Sequence, residues 1–441
     1  MTDRLPAQSQ SRKAVFAGWI GTTIEYYDFA CYGLASSLVF APLFFPSTNP
    51  AVGTLLSLST FAVAYIARPV GAMVFGHFGD RIGRKTTLIM TLVLMGAATF
   101  MIGLLPTHDQ IGMAAPILLV LARLAQGFSV GGEYSGAVLM TVEHSDRGKQ
   151  GLLGAVVNTG ATMGLLLANL IFLLVFQLPT DHMESWGWRI PFLLSGILVM
   201  VGLVARATLE ETPDFATAKQ TGDVEQRPIV TVLRGHLATV ALVAMGIIAA
   251  GSVFTMTTVF SLSYGKDGLG MDKSAMLEVL LPATVVILIC LPLFGRLADR
   301  VGIRRMFLAG AASLVVLPFV WFALLDTRNY WLMLLGFALI FVGYSANYAV
   351  VPVYFSRVFP PSVRFTGMSI GFTVGLIAGS AIAPPLSAML LENTGSWVPI
   401  AVYMACTGVA SVIAGVLLKL PEGSGEAEGA ENDIVTERIS G

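Results

Sequence analysis

Charge is what this sequence has least of. Only 12% of its 441 residues are Asp, Glu, Lys or Arg, while 55% are hydrophobic. A soluble domain carries roughly 25% charge, so this chain is short of polar residues to cover a water-facing surface. A polytopic helical membrane protein is the natural reading. Ten-residue stretches of alternating polarity are missing as well, which excludes a membrane β-barrel. Cysteine is scarce: Cys31, Cys290 and Cys406 sit singly in apolar runs without metal-ligand spacing, so no disulfide framework or zinc site is implied. A Gly-rich Walker loop is absent, as is any hydrolase or kinase motif, which argues against an enzyme and against direct use of ATP. The few histidines (His77, His108, His144, His182 and His236) fall in loops or at segment ends. No metal and no cofactor is expected. The net charge of −1 offers nothing to nucleic acid. Nor is a cleavable signal peptide expected, because the first dozen residues are polar and the apolar segment after Lys13 is too long.

What the chain does have is a repeat. Gly76-His77-Phe78-Gly79-Asp80-Arg81-Ile82-Gly83-Arg84-Lys85 reads as a charged loop between two long apolar runs. A second copy follows 219 residues later as Gly295-Arg296-Leu297-Ala298-Asp299-Arg300-Val301-Gly302-Ile303-Arg304-Arg305. Repeats of half the chain mark secondary transporters, whose substrate site lies between the halves.

Twelve apolar segments of spanning length are expected, near 14–41, 52–75, 86–105, 115–140, 152–177, 190–207, 237–264, 274–294, 306–325, 331–355, 365–390 and 397–418. They imply an all-α membrane protein of two pseudo-symmetric six-helix bundles, 14–207 and 237–418. A polar leader, 1–13, precedes them, a cytoplasmic linker, 208–236, divides them, and an acidic, disordered tail, 419–441, follows. With the N-terminus inside, twenty of the twenty-six Lys and Arg residues are assigned to cytoplasmic positions: the leader, both repeat loops, Arg147 and Lys149, the central stretch, Arg357, Arg364 and the tail. Arg189, Lys266, Lys273 and Arg328 fall outside, and Arg68 and Arg123 within the membrane. Both termini are therefore expected in the cytoplasm.

Ionisable groups within spans are costly and point to function. Glu25, Asp28 and Tyr32 share one face of the first helix, and Arg123, Gln126 and Glu133 one face of the fourth. Two acids facing an arginine suit proton coupling, because pairing holds a carboxylate ionised and release favours proton capture. An unpaired Arg123 also suits an anionic substrate, through its forked donors. Asp28, Glu25, Arg123 and Glu133 are thus the proton-coupling candidates, although Glu25 and Glu133 equally suit locking helices together. Arg68, followed by Pro69, is read as an arginine that snorkels toward the cytoplasmic surface. The second half carries almost no buried charge. Its tenth helix offers Tyr344, Asn347 and Tyr348, and its seventh Phe254, Thr255, Thr258 and Tyr264. Arg123, Gln126, Tyr32, Asn158, Tyr344, Asn347 and Tyr348 form the candidate substrate-binding set.

The repeat loops suit gating. A single acid among bases at the same place in both halves is more than a positive-inside anchor requires. Such a carboxylate can cap a helix N-terminus and pair with arginine in one state only. Gly76, Asp80, Arg81, Gly83, Arg84, Asp299 and Arg300 are the candidates, with Glu143 and Arg147 after the fourth helix and Arg364 after the tenth.

The repeated loop resembles the signature of the major facilitator superfamily. The run from Arg123 to Glu133, with Glu143 and Arg147-Gly148, is more specific, as are Glu25-Tyr-Tyr-Asp28-Phe29, Ala67-Arg68-Pro69-Val-Gly71 and Trp186-Gly-Trp-Arg-Ile-Pro-Phe192. Together they are similar to the metabolite:proton symporter family, and most to its shikimate-type branch, over about residues 14–420. The resemblance implies a twelve-helix fold, alternating access and uptake coupled to proton entry. Asp28 and Arg123 also match positions resembling the proton-coupling pair of proton-driven sugar porters. Arg357 stands where the family has an acid, and Ile303 where it has a base, so the two gates are not expected to be symmetric. The stretch Gly160-Ala-Thr-Met-Gly164 lacks the Gly-Pro pair of drug–proton antiporters, which favours import.

The function expected from the sequence is a proton-coupled symporter of a small organic acid, monomeric, multi-pass, in a bacterial inner membrane. Its partners are the organic acid, protons and the lipid bilayer. A zwitterionic osmolyte such as proline or betaine is the competing cargo, and a passive facilitator or a metabolite sensor the competing mechanism.

Overall fold

The computed structural model describes residues 7–46, 50–271 and 273–420. The acidic tail beyond residue 420 and the first six residues of the leader lie outside the described residues. Among the described residues every regular element is a helix. Twelve long ones carry the fold: α1 (Ala7–Leu38), α2 (Pro50–Arg81), α3 (Arg84–Leu104), α4 (Ala114–Glu143), α5 (Gln150–Val175), α6 (Ile190–Ala207), α7 (Leu237–Thr255), α8 (Lys273–Val301), α9 (Ile303–Asp326), α10 (Tyr330–Tyr348), α11 (Arg364–Leu376) and α12 (Val398–Leu417).

Eleven described helices are long and apolar enough to cross a membrane. The first segment is not among them, although α1 is 32 residues long. At 1.5 Å per residue that is ample length for the roughly 30 Å of a bilayer. Glu25, Asp28 and the neighbouring tyrosines dilute its apolar character. Polarity, not length, sets it apart.

Several expected boundaries shift. Helix α1 starts at Ala7, inside the segment read as a leader. Helix α2 runs on to Arg81, so most of the expected loop from Gly76 is helix, and only Ile82 and Gly83 separate it from α3. Polar residues continue a helix as readily as apolar ones. What ends α2 is Gly83, at φ 115°, and Gly302 at φ 100° does the same before α9. Only glycine adopts that conformation without strain, so the glycine common to both repeats has a backbone reason. The tenth segment breaks after Tyr348 and resumes as Val351–Arg357 with Pro352 in its first turn. Helices α7 and α11 each continue through one π-helical turn, Met256–Phe260 and Ile377–Ala381, before a further α segment.

The chain divides into two compact units. One comprises 1–145 and 156–228; the other comprises 146–155 and 229–441. In the first, α4 is central and packs on α1, α2 and α3, while α6 packs on α1 and α3. Small residues permit the closest crossing. A Cβ on Gly127 would stand 2.6 Å from Cα of Ala64 in α2. Gly127→Ala is therefore expected to cost about 1–3 kcal/mol by overpacking, read as a lowered Tm in micelles. Gly148→Ala, where nothing lies within 4 Å, is the control and leaves Tm unchanged. An aromatic core of Tyr27, Tyr32, Phe40, Phe44, Trp188 and Phe192 closes one end of this unit. In the second unit, α9 packs on α10 and α12, α7 on α11 and α12, and α8 on α10.

Candidate functional site

Within the first unit, α1, α2, α3 and α4 enclose a small cavity lined by Glu25, Asp28, Phe29, Arg68, Arg123 and Gln126, with Ala64, Met95, Gly127 and Val130 supplying its apolar wall. The helical spacings expected from the sequence hold. Glu25 and Asp28 reach it from one face of α1, and Arg123 and Gln126 from one face of α4. All four charged groups that line the cavity are buried, at 7% exposure or less. Charges this far from water persist only with partners, so their pairing is what matters.

The pairing differs from expectation. No ion pair joins Asp28 to Arg123 among the described residues. Asp28 instead accepts from two hydroxyls, Ser195 on Oδ1 at 2.7 Å and Thr99 on Oδ2 at 2.7 Å. Glu25 pairs with Arg68 at 3.3 Å, and its Oε2 has no hydrogen-bond partner. Arg68 does not snorkel away. Its guanidinium lies 5.5 Å from the ring of Phe29 and 5.3 Å from that of Tyr65, so aromatic faces and Glu25 hold it in the interior.

Of the two buried arginines that line the cavity, Arg123 is the one with buried donors left unpartnered. Its guanidinium faces Tyr32 at 4.1 Å, Phe61 at 5.1 Å and Phe29 at 5.3 Å. One amine, Nη1, donates to Gln126 Oε1 at 3.0 Å; Nε and Nη2 are buried with no partner. Orphaned donors on a buried charge are expensive. Such a group is chemically suited to receive an anion. Tyr32 contributes its ring only, since its hydroxyl donates to Thr60 at 2.6 Å.

Glu133 lies apart from the cavity lining. It forms a buried ion pair with Arg206 of α6, and Arg206 also donates to the Leu88 carbonyl. Thr91 donates to Glu133 at 2.6 Å. Arg206, at the end of the sixth apolar segment, is 1% exposed. Both carboxylate oxygens of Glu133 thus have partners, an arrangement that suits locking helices together. Of the other expected binding residues, Asn158 accepts from the Tyr134 hydroxyl at 3.1 Å. In the second unit Tyr344 stacks on Tyr348 at 5.3 Å, and Asn347 donates to the Phe307 carbonyl at 3.3 Å. Thr255 and Thr258 bond back to their own helix, and the Tyr264 hydroxyl donates to Asp326.

The repeat residues fall into two constructions. In the first unit, Arg84 is buried against Asp80 at 3.5 Å and Glu143 at 3.7 Å, and lies 5.1 Å from the ring of Phe215. Gly76 is buried in α2, while Arg81 is exposed. Glu211 caps α3 by accepting from the Arg84 amide at 2.9 Å, and the Lys85 ammonium returns to the carbonyls of Ala207 and Leu209. In the second unit, Asp299 caps α5, accepting from the amides of Gly151 at 2.7 Å and Leu152 at 2.9 Å. Arg357 donates to Gln150 at 2.7 Å, so the residue in place of the family's acid is tied to the same helix start. Arg300 and Arg147 are exposed, and Arg364 donates to the Phe359 carbonyl at 3.4 Å.

Sequence reasoning missed Arg206, Thr99, Ser195 and Glu211. A signal existed for Arg206 alone, since a buried Glu133 requires a cation. Hydroxyls in apolar helices are too common to single out.

Comparison with known proteins agrees with this architecture. The Major Facilitator Superfamily profile matches residues 18–375 and 281–439. The inner membrane metabolite transport protein YhjE of Escherichia coli K12 is 38% identical, over 91% of this chain and 92% of its own. The shikimate transporter of the same organism is 34% identical, over 93% and 95%. Among solved structures, the proton:xylose symporter XylE of E. coli superposes with a TM-score of 0.70 at 16% identity, over 95% of this chain and 98% of that one, a likeness of fold. The protein is a multi-pass membrane transporter of small molecules, not an enzyme. The chain belongs to the Major Facilitator Superfamily and, within it, to the metabolite:proton symporter family.

Proposed function

We propose that this protein imports a small organic acid together with protons, by alternating access, with Arg123 receiving the substrate carboxylate and Asp28 the proton. One observation carries the reading: Arg123, a buried cation with two unpaired donors, lines a cavity together with Asp28. A carboxylate supplies the two acceptors that this fork lacks. Kinship with a shikimate transporter supports a carboxylate cargo. Asp28 is held by neutral hydroxyls and carries no cation of its own, so a proton can neutralise it without breaking an ion pair. Glu25, bonded to Arg68 through one oxygen, is the second acid in reach. Gly83, Arg84, Asp299 and the groups around them act as gates in this scheme. Both termini face the cytoplasm of a bacterial inner membrane, and a single chain suffices.

A betaine cargo fits less well. Quaternary ammonium groups are recognised by aromatic faces, and the rings of Phe29, Tyr32 and Phe61 are already turned to Arg123.

The test is uptake of labelled shikimate into proteoliposomes, with and without an inward proton gradient. For one proton per substrate, a gradient of one pH unit supports about tenfold accumulation. We expect accumulation in the wild type and none in Asp28→Asn. Uptake that only equilibrates in the wild type overturns the coupling. Binding competed by betaines and by no carboxylate overturns the substrate class.

A further inference from the structure

Arg123 and Asp28 are not in contact, yet they are joined. Arg123 Nη1 donates to Gln126 Oε1 at 3.0 Å, Gln126 Nε2 to Thr99 Oγ1 at 2.6 Å, and Thr99 Oγ1 to Asp28 Oδ2 at 2.7 Å. Arginine has no acceptor, so the amide orientation of Gln126 is forced and every donor in the chain points from the cation to the acid. Chains so aligned polarise one another. We propose that Thr99 and Gln126 are the residues through which Arg123 senses the protonation state of Asp28.

Thr99 is suited to this by having one proton and two acceptors. Its hydroxyl lies 2.7 Å from Asp28 Oδ2 and 3.0 Å from the Met95 carbonyl. When Asp28 is ionised, the hydroxyl donates to it. When Asp28 takes a proton on Oδ2, the carboxyl becomes the donor to Thr99 Oγ1, and the threonine proton turns to the Met95 carbonyl. Neither Thr99 nor Asp28 Oδ2 is orphaned in either state, so the acid can change charge in place. The anion that terminated the chain is gone, however, and the positive charge of Arg123 is no longer opposed through Gln126. An anionic ligand on Nε and Nη2 is favoured when Asp28 is protonated, and by linkage the ligand favours the proton. That sign is the one symport requires.

The other titratable groups around Asp28 are accounted for. Glu25, Tyr27 and Cys31 come from α1 itself, Arg123 from α4, and Arg68 from α2 through its bond to Glu25. Helices α3 and α6 bring the hydroxyls of Thr99 and Ser195. Thr99 and Gln126 act as positioning residues for the acid and the arginine.

This inference rests on Asp28 as the proton site, and its test separates the two. Infrared difference spectra of the reconstituted protein are recorded across a pH titration, without substrate. The band absent in Asp28→Asn reports the carboxyl, and the band absent in Arg123→Lys the guanidinium. In the wild type and Thr99→Ser, both bands change at the same pH. In Thr99→Val the carboxyl band still titrates, while the guanidinium change is lost. Should Thr99→Val fail to fold, Gln126→Leu cuts the next link, and the same loss is expected. A guanidinium change that persists in either variant overturns the relay and leaves Asp28 as the proton site. Absence of any titrating Asp28 band in the wild type overturns both.

Discussion

Arg206→Met is expected to destabilise the protein by about 3–5 kcal/mol, because it leaves Glu133 ionised in the interior with its cation removed. Glu133 and Arg206 are each 1% exposed, and Thr91 also donates to the carboxylate. Gly21 leaves room for the pair: a Cβ there would stand 2.8 Å from Glu133 Oε1. The measurement is unfolding of the purified protein in micelles, followed by circular dichroism. The double variant Arg206→Met with Glu133→Leu is expected to recover most of the loss, since buried ion pairs are often replaced by apolar residues at little cost. A single variant as stable as the wild type would show that Glu133 finds another cation or is already neutral. The latter would return it to the proton-coupling residues.

The second large effect has the opposite character. Arg123→Met is expected to abolish substrate-dependent uptake while leaving thermal stability at least that of the wild type. Arg123 is as buried as Arg206, but two of its donors have no partner. Removing it discards unmade bonds along with the single bond to Gln126. The gentler Arg123→Lys keeps the charge and loses the fork. Hydrogen bonds to charged groups contribute about 1.5–3 kcal/mol, so this variant should raise KM roughly 10- to 100-fold. The paired measurements are KM for labelled shikimate and Tm. Unaltered uptake in Arg123→Met would remove it from the substrate site. Two arginines of equal burial thus separate cleanly, one holding the fold and the other held ready by it.

Much of this was legible in the chain. Apolar runs long enough to cross a bilayer leave a backbone no option but helix, because its polar groups find partners nowhere else. Helical periodicity put Glu25 beside Asp28 and Arg123 beside Gln126, since residues three apart share a face whatever packs against them. The repeated Asp and Gly residues announced a turn and a cap; Gly83 and Gly302 make the turn, and Asp299 makes a cap. Glu211, which caps α3, was not foreseen, because the acid lies 127 residues from the amide it serves.

The sequence by itself determined that Glu25, Asp28, Arg123 and Glu133 would be buried, since a charge in the middle of an apolar helix has no route to water; it did not foresee the burial of Arg68, Arg84 or Arg206. It did not determine which would meet. Glu133 is paired with Arg206 rather than left for protons, Arg68 is drawn to Glu25, and Arg123 is kept apart from Asp28 by a glutamine and a threonine. These outcomes depend on how far each helix is rotated and shifted against its neighbours, through contacts such as Gly127 on Ala64. Periodicity sets the face that a residue occupies on its own helix. Only packing of side-chain volumes sets what that face meets, and a rotation of a few tens of degrees exchanges a salt bridge for a hydroxyl.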